Sequence, residues 1–215
     1  MSLSHKLFAI LQLMEGINKK TLESYEGAID EYIQNTSSTR NEDIKHWIDK
    51  SLQTLDVTAK ILEIGSASGV DAQLIEEKGY TVEKTDAIQG FVSLLQKSDP
   101  TARILNVLTD EIDSYYDLII ANAVFLHFTE MEMETAVSKV YNALAAKGIF
   151  SLTLKEGEGE FWQDNKDMPP RFFRYWLKED IIALLTEIGF VDIDAWIVPS
   201  GSSGAQWIMI VARKP

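Results

Sequence analysis

With 215 residues, 46% of them hydrophobic, the chain can build one sizeable core and is too short for two ordinary domains. A formal net charge of −13 and a pI near 4.6 create a negative field that opposes phosphate backbones, which excludes a nucleic-acid partner from the expectation. Cysteine is absent, which removes disulfide frameworks and thiolate metal sites and fits a reducing, cytoplasmic setting.

Near the start, the apolar run Leu7 to Met14 follows Lys6, but Glu15-Gly16-Ile17-Asn18-Lys19-Lys20 after it offers no small-residue cleavage site. The run is too short to span a bilayer and reads as a docking helix, so no membrane partner is expected. Leu22, Tyr25, Ile29, Tyr32 and Ile33 then share one helical face, and Ile44, Trp47, Ile48 and Leu52 share another, with a polar connection at Asn35 to Thr39. From Lys60 the pattern becomes short β-rich runs at Ile61–Ile64, Thr81–Thr85, Arg103–Val107, Tyr116–Ala121 and Gly148–Leu154, separated by helical stretches. Strand alternating with helix predicts a parallel sheet covered on both faces.

The helix after the fourth strand is the best defined, because Thr129 and Glu132 have capping-box spacing and Met133, Ala136, Val137, Val140 and Leu144 form a stripe that Lys147-Gly148 ends. An acidic, Gly-rich and aromatic stretch runs from Glu156 to Tyr175, followed by a helix ending near Gly189. Two further strands, Val191–Val198 and Gln206–Ala212, are joined by a linker short enough for an antiparallel pair.

The chemistry is concentrated at Ile61-Leu62-Glu63-Ile64-Gly65-Ser66-Ala67-Ser68-Gly69, where a buried strand runs into a glycine-rich turn and a helix start. Such a turn lets backbone N–H groups approach a ligand closely. A nicotinamide fingerprint counted from Gly65 needs glycines where Ala67 and Val70 stand, and a phosphate-binding loop needs Gly-Lys-Ser/Thr where Val70-Asp71-Ala72 stands, so both fail. What remains is acid-x-Gly-x-x-x-Gly, with Glu63 two residues before Gly65, and Asp86 at a strand end 21 residues beyond Gly65. An acidic strand end at about 20 residues is placed to meet ribose hydroxyls.

In these segments, and in Tyr116-Asp117-Leu118-Ile119-Ile120-Ala121-Asn122-Ala123-Val124-Phe125-Leu126-His127, the chain resembles class I S-adenosylmethionine-dependent methyltransferases, from about Thr21 to Arg213. Leu154 to Glu160 and Arg171-Phe172-Phe173-Arg174-Tyr175 are similar to small bacterial members of that family. It departs from the family's Asp/Glu-x-Gly-x-Gly-x-Gly motif at Ala67, and has Asn106 where an acid often contacts the adenine amino group. The resemblance implies a single domain with a doubly wound, Rossmann-like α/β fold: a seven-stranded sheet of order 3-2-1-4-5-7-6, strand 7 antiparallel. Residues 1–58 would form a helical cap, 59–215 the cofactor-binding core, and about 156–176 a mobile lid.

The resemblance further implies S-adenosylmethionine as cofactor and S-adenosylhomocysteine as product. Glu63, Gly65, Ser66, Ala67 and Gly69 would hold the amino-acid tail, Asp86 the ribose, and Ala87, Asn106 and Val107 the adenine side. Ala121, Asn122 and Ala123 would lie near the methionine portion, and Tyr25 and Tyr32 on the closing helix would reach the cofactor or pack in the core. His127 is read as a proton acceptor for the substrate or as a structural hydrogen bond at a strand end. Trp162, Arg171, Phe172 and Tyr175 are expected to wall the substrate pocket, Arg171 and Arg174 being the cations to meet an anion, with a solvated role as the alternative. Glu156, Glu158 and Glu160 read as lid rather than metal ligands. The expected activity is methyl transfer to an O, N or S atom of a small molecule by a monomer or homodimer. A catalytically silent, cofactor-binding or partner-binding relative is the second reading, and protein or peptide methylation a third.

Overall fold

The computed structural model describes residues 16–36, 42–165, 168–200 and 204–215. The docking helix expected at Leu7–Met14 lies outside them. Residues 16–26 are helical (α1) and a turn at 27–28 separates them from α2 (Ile29–Thr36), so the single apolar face expected from Leu22 to Ile33 is carried by two helices. Then follow α3 (Glu42–Leu52), β1 (Ile61–Ile64), α4 (Val70–Glu76), β2 (Val82–Asp86), α5 (Gln89–Leu95), β3 (Arg103–Ile104) and β4 (Tyr116–Ala121). A 3-10 turn at Phe125–His127 leads into α6 (Glu130–Ala143), β5 (Leu144–Lys155), β6 (Glu160–Asn165), β7 (Met168–Arg174), α7 (Lys178–Ile188), β8 (Val191–Ser200) and β9 (Ala205–Arg213).

Seven strands form one sheet of order β3-β2-β1-β4-β5-β9-β8. β1 pairs in parallel with β2 and β4, β4 pairs in parallel with β5, and β9 runs antiparallel to both its neighbours. Counted within this sheet, β8 and β9 are the sixth and seventh strands, which is the order 3-2-1-4-5-7-6 that the resemblance implies. Side-chain alternation sets the two layers. Leu62, Ile64, Ile119, Ala121, Phe150 and Leu152 face α6 and α7, whereas Ile61, Leu118, Ile120 and Ile149 face α3 and α4. The α3 layer is pinned by Trp47, fully buried, whose indole N–H donates to the Ile210 carbonyl at 3.0 Å.

The capping box on α6 is present, with Thr129 accepting from the Glu132 amide and Glu132 accepting from the Thr129 amide at 2.8 Å. The helix ends at Ala143 rather than at Lys147-Gly148, because Leu144 is already extended and starts β5. Lys147, at φ +64, lies in an irregularity of β5: Tyr116 to Leu118 of β4 opposes the longer stretch Leu144 to Ile149.

Where a lid loop is expected, β6 and β7 form an antiparallel hairpin. Aromatic cross-strand pairs hold it: Phe161 opposes and stacks on Phe173, and Trp162 opposes Phe172 with ring centroids 5.9 Å apart. The hairpin supports α1, since Ser24 donates to the Pro170 carbonyl at 2.6 Å and the Phe172 amide donates to Thr21 at 3.3 Å. On its other side α1 is tied by Asn106 Nδ2 donating to Asn18 at 2.9 Å and the Gly90 amide donating to Glu26 at 3.1 Å. A Cβ at Gly90 would lie 1.9 Å from Ile29 Cδ1, so glycine is what lets α2 approach α5 there. No helix among the described residues is long and apolar enough to cross a membrane.

Candidate functional site

The sheet changes direction between β1 and β4, and the turns after these strands meet at that point, where open α/β sheets bind ligands. Gly65 sits there at φ +74, and a Cβ on it would fall 2.3 Å from Val124 Cγ2. Both its backbone conformation and the approach of the β4 turn therefore demand glycine. Ala67 adopts φ +47, a left-handed conformation that costs an alanine roughly 1–2 kcal/mol. Asp86 holds it there, because one carboxylate oxygen accepts from the Ala67 amide at 2.9 Å and the other from the Ile88 amide at 2.9 Å. Burial pushes the Asp86 carboxyl up to about 6, against the pull of those amides.

Beneath the turn lies Glu63, 3% exposed, with Oε2 making no hydrogen bond to a described residue. Burial, with repulsion from Asp71 and Asp86, raises it to about 8, opposed by Ser66 and Lys84. Asp71, in the first turn of α4, is raised by the same desolvation and is countered by a hydrogen bond from Asn122 at 2.7 Å. That bond begins a chain: Thr153 donates to Asn122 Oδ1 at 2.6 Å, and the Ala123 amide donates to Thr153 at 2.8 Å. The chain locks Ala123 at φ +56, so two non-glycine residues in the left-handed region lie at this one site.

Two cavities open from the turns. The first encloses about 670 Å³, open in part to solvent, between the ends of β1, β2 and β4 and the α1–α2 cap. Its walls include Gly65, Asp86, Ala87, Asn106, Val107, Asn122, Ala123, Tyr25, Tyr32 and His127. The second, about 1070 Å³, shares Tyr32, Gly65, Asn122 and Ala123 with it and extends past Ser66 and Asp71 to Val198 and Trp207. No lysine or arginine lines either cavity among the described residues.

His127 stands on the first cavity in a fixed protonation state. Nδ1 lies 2.6 Å from the Phe172 carbonyl, which can only accept, so Nδ1 carries the hydrogen and Nε2 offers its lone pair to Tyr25 Oη at 2.8 Å. Burial, reinforced by Arg171 and Lys155, lowers the imidazole to about 4 and keeps it neutral. Arg171 Nη1 donates to Tyr25 Oη at 3.2 Å. The Tyr25 hydroxyl is itself raised by burial, with Arg171 pulling the other way.

The structure therefore gathers ten of the residues singled out in the sequence around the first cavity, and Ser66 lines the second. Glu63, Ala67, Gly69 and Ala121 lie behind the walls rather than in them. The Asn106 side chain is engaged by its own turn and by α1: Oδ1 accepts from the Leu108 amide at 3.1 Å and Nδ2 reaches Asn18. Trp162, Arg171, Phe172 and Tyr175 line neither cavity. Trp162 is on the outer hairpin under Lys20, Tyr175 packs on Phe161, Phe172 acts through its carbonyl, and Arg171 acts through Tyr25. Arg174 is neutralised by Glu130 and Glu160. Among the described residues no cluster of His, Asp and Glu is arranged to hold a metal ion.

Asp71, Phe91, Thr153 and Trp207 were not singled out in the sequence. Asp71 had a usable signal, an acid in the first turn of the helix that the glycine turn opens. The others reach the site only through folding.

The sequence profile of a methyltransferase-domain family matches residues 37–195. Comparison with curated proteins gives no match. Among solved structures, the chain is similar to 1,6-didemethyltoxoflavin-N1-methyltransferase of Burkholderia thailandensis, solved with 1,6-didemethyltoxoflavin and S-adenosylhomocysteine: 19% identity, all of this chain and 91% of that one, TM-score 0.69. It is similar to a TehB-like S-adenosylmethionine-dependent methyltransferase of Corynebacterium glutamicum, at 20% identity over 87% of this chain and 98% of that one, TM-score 0.63. Phosphoethanolamine N-methyltransferase 2 of Haemonchus contortus, solved with S-adenosyl-L-methionine, matches at 12% identity over 88% of this chain and 57% of that one, TM-score 0.68.

Proposed function

The chain belongs to the methyltransferase-domain family, and from that premise we propose that it is an S-adenosylmethionine-dependent methyltransferase acting on an O, N or S atom of a small molecule. The observation that carries the reading is electrostatic: Glu63, Asp71 and Asp86 converge on the glycine turn, and among the described residues no cation lines the cavities beside them. Such a site repels phosphates and suits a positively charged, phosphate-free ligand. Glu63 adds a carboxyl behind the turn, and Gly65 and Asp86 line the first cavity where that ligand's tail and ribose would lie.

When bound, S-adenosylmethionine supplies an electrophilic sulfonium methyl that a nucleophile attacks in line, leaving S-adenosylhomocysteine. The residues of the chain bind and orient. Asp86, still having lone pairs free beside two amide bonds, accepts from the ribose hydroxyls, and Val107 and Ala87 flank the adenine. The α1–α2 cap excludes water and holds the nucleophile about 3–3.5 Å from its target, which supplies much of the acceleration without a strong base. On the wall of the first cavity Tyr25 Oη donates to His127 Nε2 and accepts from Arg171, so this neutral pair fixes the cap over the cofactor side of the site.

Calorimetric titration with S-adenosylmethionine and S-adenosylhomocysteine tests the reading. Micromolar or tighter binding, abolished in Asp86→Ala, is the expected result. A folded wild type that binds neither overturns it.

A further inference from the structure

We propose that the second cavity is the acceptor site and that it selects a flat, uncharged heteroaromatic molecule carrying an N–H donor, and rejects anions. The proposal rests on the methyltransferase reading and goes beyond it by assigning a place and a chemical class to the acceptor.

The place follows from connectivity. The first cavity holds the groups that suit a nucleoside, Asp86, Ala87, Asn106 and Val107, and none of these four reaches the second. The two cavities meet at Tyr32, Gly65, Asn122 and Ala123, over the glycine turn where a transferable methyl would be presented. The Tyr32 hydroxyl stands at this junction and makes no hydrogen bond to a described residue, so it is free to meet a ligand on either side.

The chemical class follows from the two walls. One is apolar: Trp207, Met209, Val198 and Ile44, contributed by β8, β9 and α3. An indole face beside aliphatic groups favours a planar ring. The opposite wall is polar, built from Ser66, Asp71 and Asn122. Asp71 is the one charged lining residue among those described, Asn122 occupies one of its oxygens, and Glu63 lies behind it. Lys155 lies beside Trp207, but its ammonium rests on the faces of Phe173, Tyr175 and Trp207 at 5.4 to 5.6 Å and does not line the cavity. An anionic acceptor would face Asp71 with no counter-charge in a desolvated space. An N–H donor meets the same carboxylate favourably. The attacking atom needs a free lone pair, which a protonated amine or ring nitrogen lacks, so with anions rejected the acceptor enters uncharged.

A matched pair of probes separates these alternatives: indole-2-carboxamide and indole-2-carboxylate, each titrated at millimolar concentration into protein saturated with S-adenosylhomocysteine and followed by amide resonances. The carboxamide is expected to bind and to shift the signals of Asp71, Val198 and Trp207, and the carboxylate to leave them unmoved. Thr36→Trp, which fills the second cavity from a lining residue of α2 that the first cavity does not share, should abolish those shifts while S-adenosylhomocysteine binding is retained. Trp207→Leu should weaken the carboxamide by about two- to tenfold, the worth of one aromatic pairing. Equal binding of the carboxylate overturns the proposal, as does failure of both probes to bind. Shifts confined to the Asp86 and Asn106 side, or competition with S-adenosylhomocysteine, likewise overturn it. In those cases intact S-adenosylhomocysteine binding leaves the methyltransferase reading standing; its loss removes the premise as well.

Discussion

Titrating Asp86 should change ligand affinity in a way that its surroundings dictate. Burial holds its carboxyl at about 6 in the free protein, so most copies are protonated at about pH 5.5 and nearly all are ionised at about pH 7.5. Ribose hydroxyls that donate to Asp86 favour its ionised form. For a single group of this pKa that is ionised throughout in the complex, S-adenosylhomocysteine affinity rises about fourfold between those two conditions. Asp86→Asn removes the charge: the slope should vanish, and the loss of charge-assisted hydrogen bonds, about 1.5–3 kcal/mol, should weaken binding about ten- to a hundredfold. Calorimetry at both pH values on both proteins, with circular dichroism to show that each is folded, makes the measurement. Wild-type affinity that is flat with pH refutes the reasoning, and a slope that survives in Asp86→Asn assigns the titration to another group and refutes it equally.

Gly65→Ala should cost about 1–3 kcal/mol in urea denaturation, because the new Cβ would have to displace Val124 from a φ +74 turn, and it should weaken S-adenosylhomocysteine more than it lowers stability. Unchanged stability would mean that the β4 turn yields freely. His127, lowered to about 4 when folded from 6.5 when exposed, binds fewer protons in the native than in the unfolded state between these values. Its contribution to stability is therefore complete above 6.5 and is lost as pH falls through about 4. His127→Asn should lose less stability than wild type on acidification, measured as the change in urea midpoint between about pH 7 and about pH 4.5, and an identical change in both proteins would remove this role.

The local order of the chain already determined the frame. Short β-rich apolar runs at Ile61–Ile64 and Tyr116–Ala121, the capping box at Thr129, and the spacing of Glu63, Gly65, Gly69 and Asp86 are short-range features, each readable because its physics acts within a few residues or one βα unit. These features located the turn, the acid beyond it and the strand order that the resemblance carried. The residues placed at the second cavity were less legible. Segment 156–176 reads as acidic, Gly-rich loop, yet cross-strand pairing of Phe161 with Phe173 and Trp162 with Phe172 makes it a hairpin that turns its tryptophan outward. Arg171 looks in sequence like a free cation for a substrate, and only the docking of α1 makes it a support for Tyr25 and His127, across 146 residues of chain. Trp207 and Asp71 are 136 residues apart and face one cavity because β9 inserts antiparallel beside β5 while α4 opens from β1. Which side chains share a space depends on such long-range pairings, whose free energy comes from burial in the assembled core rather than from any local preference, and for that reason only the tertiary structure decided them.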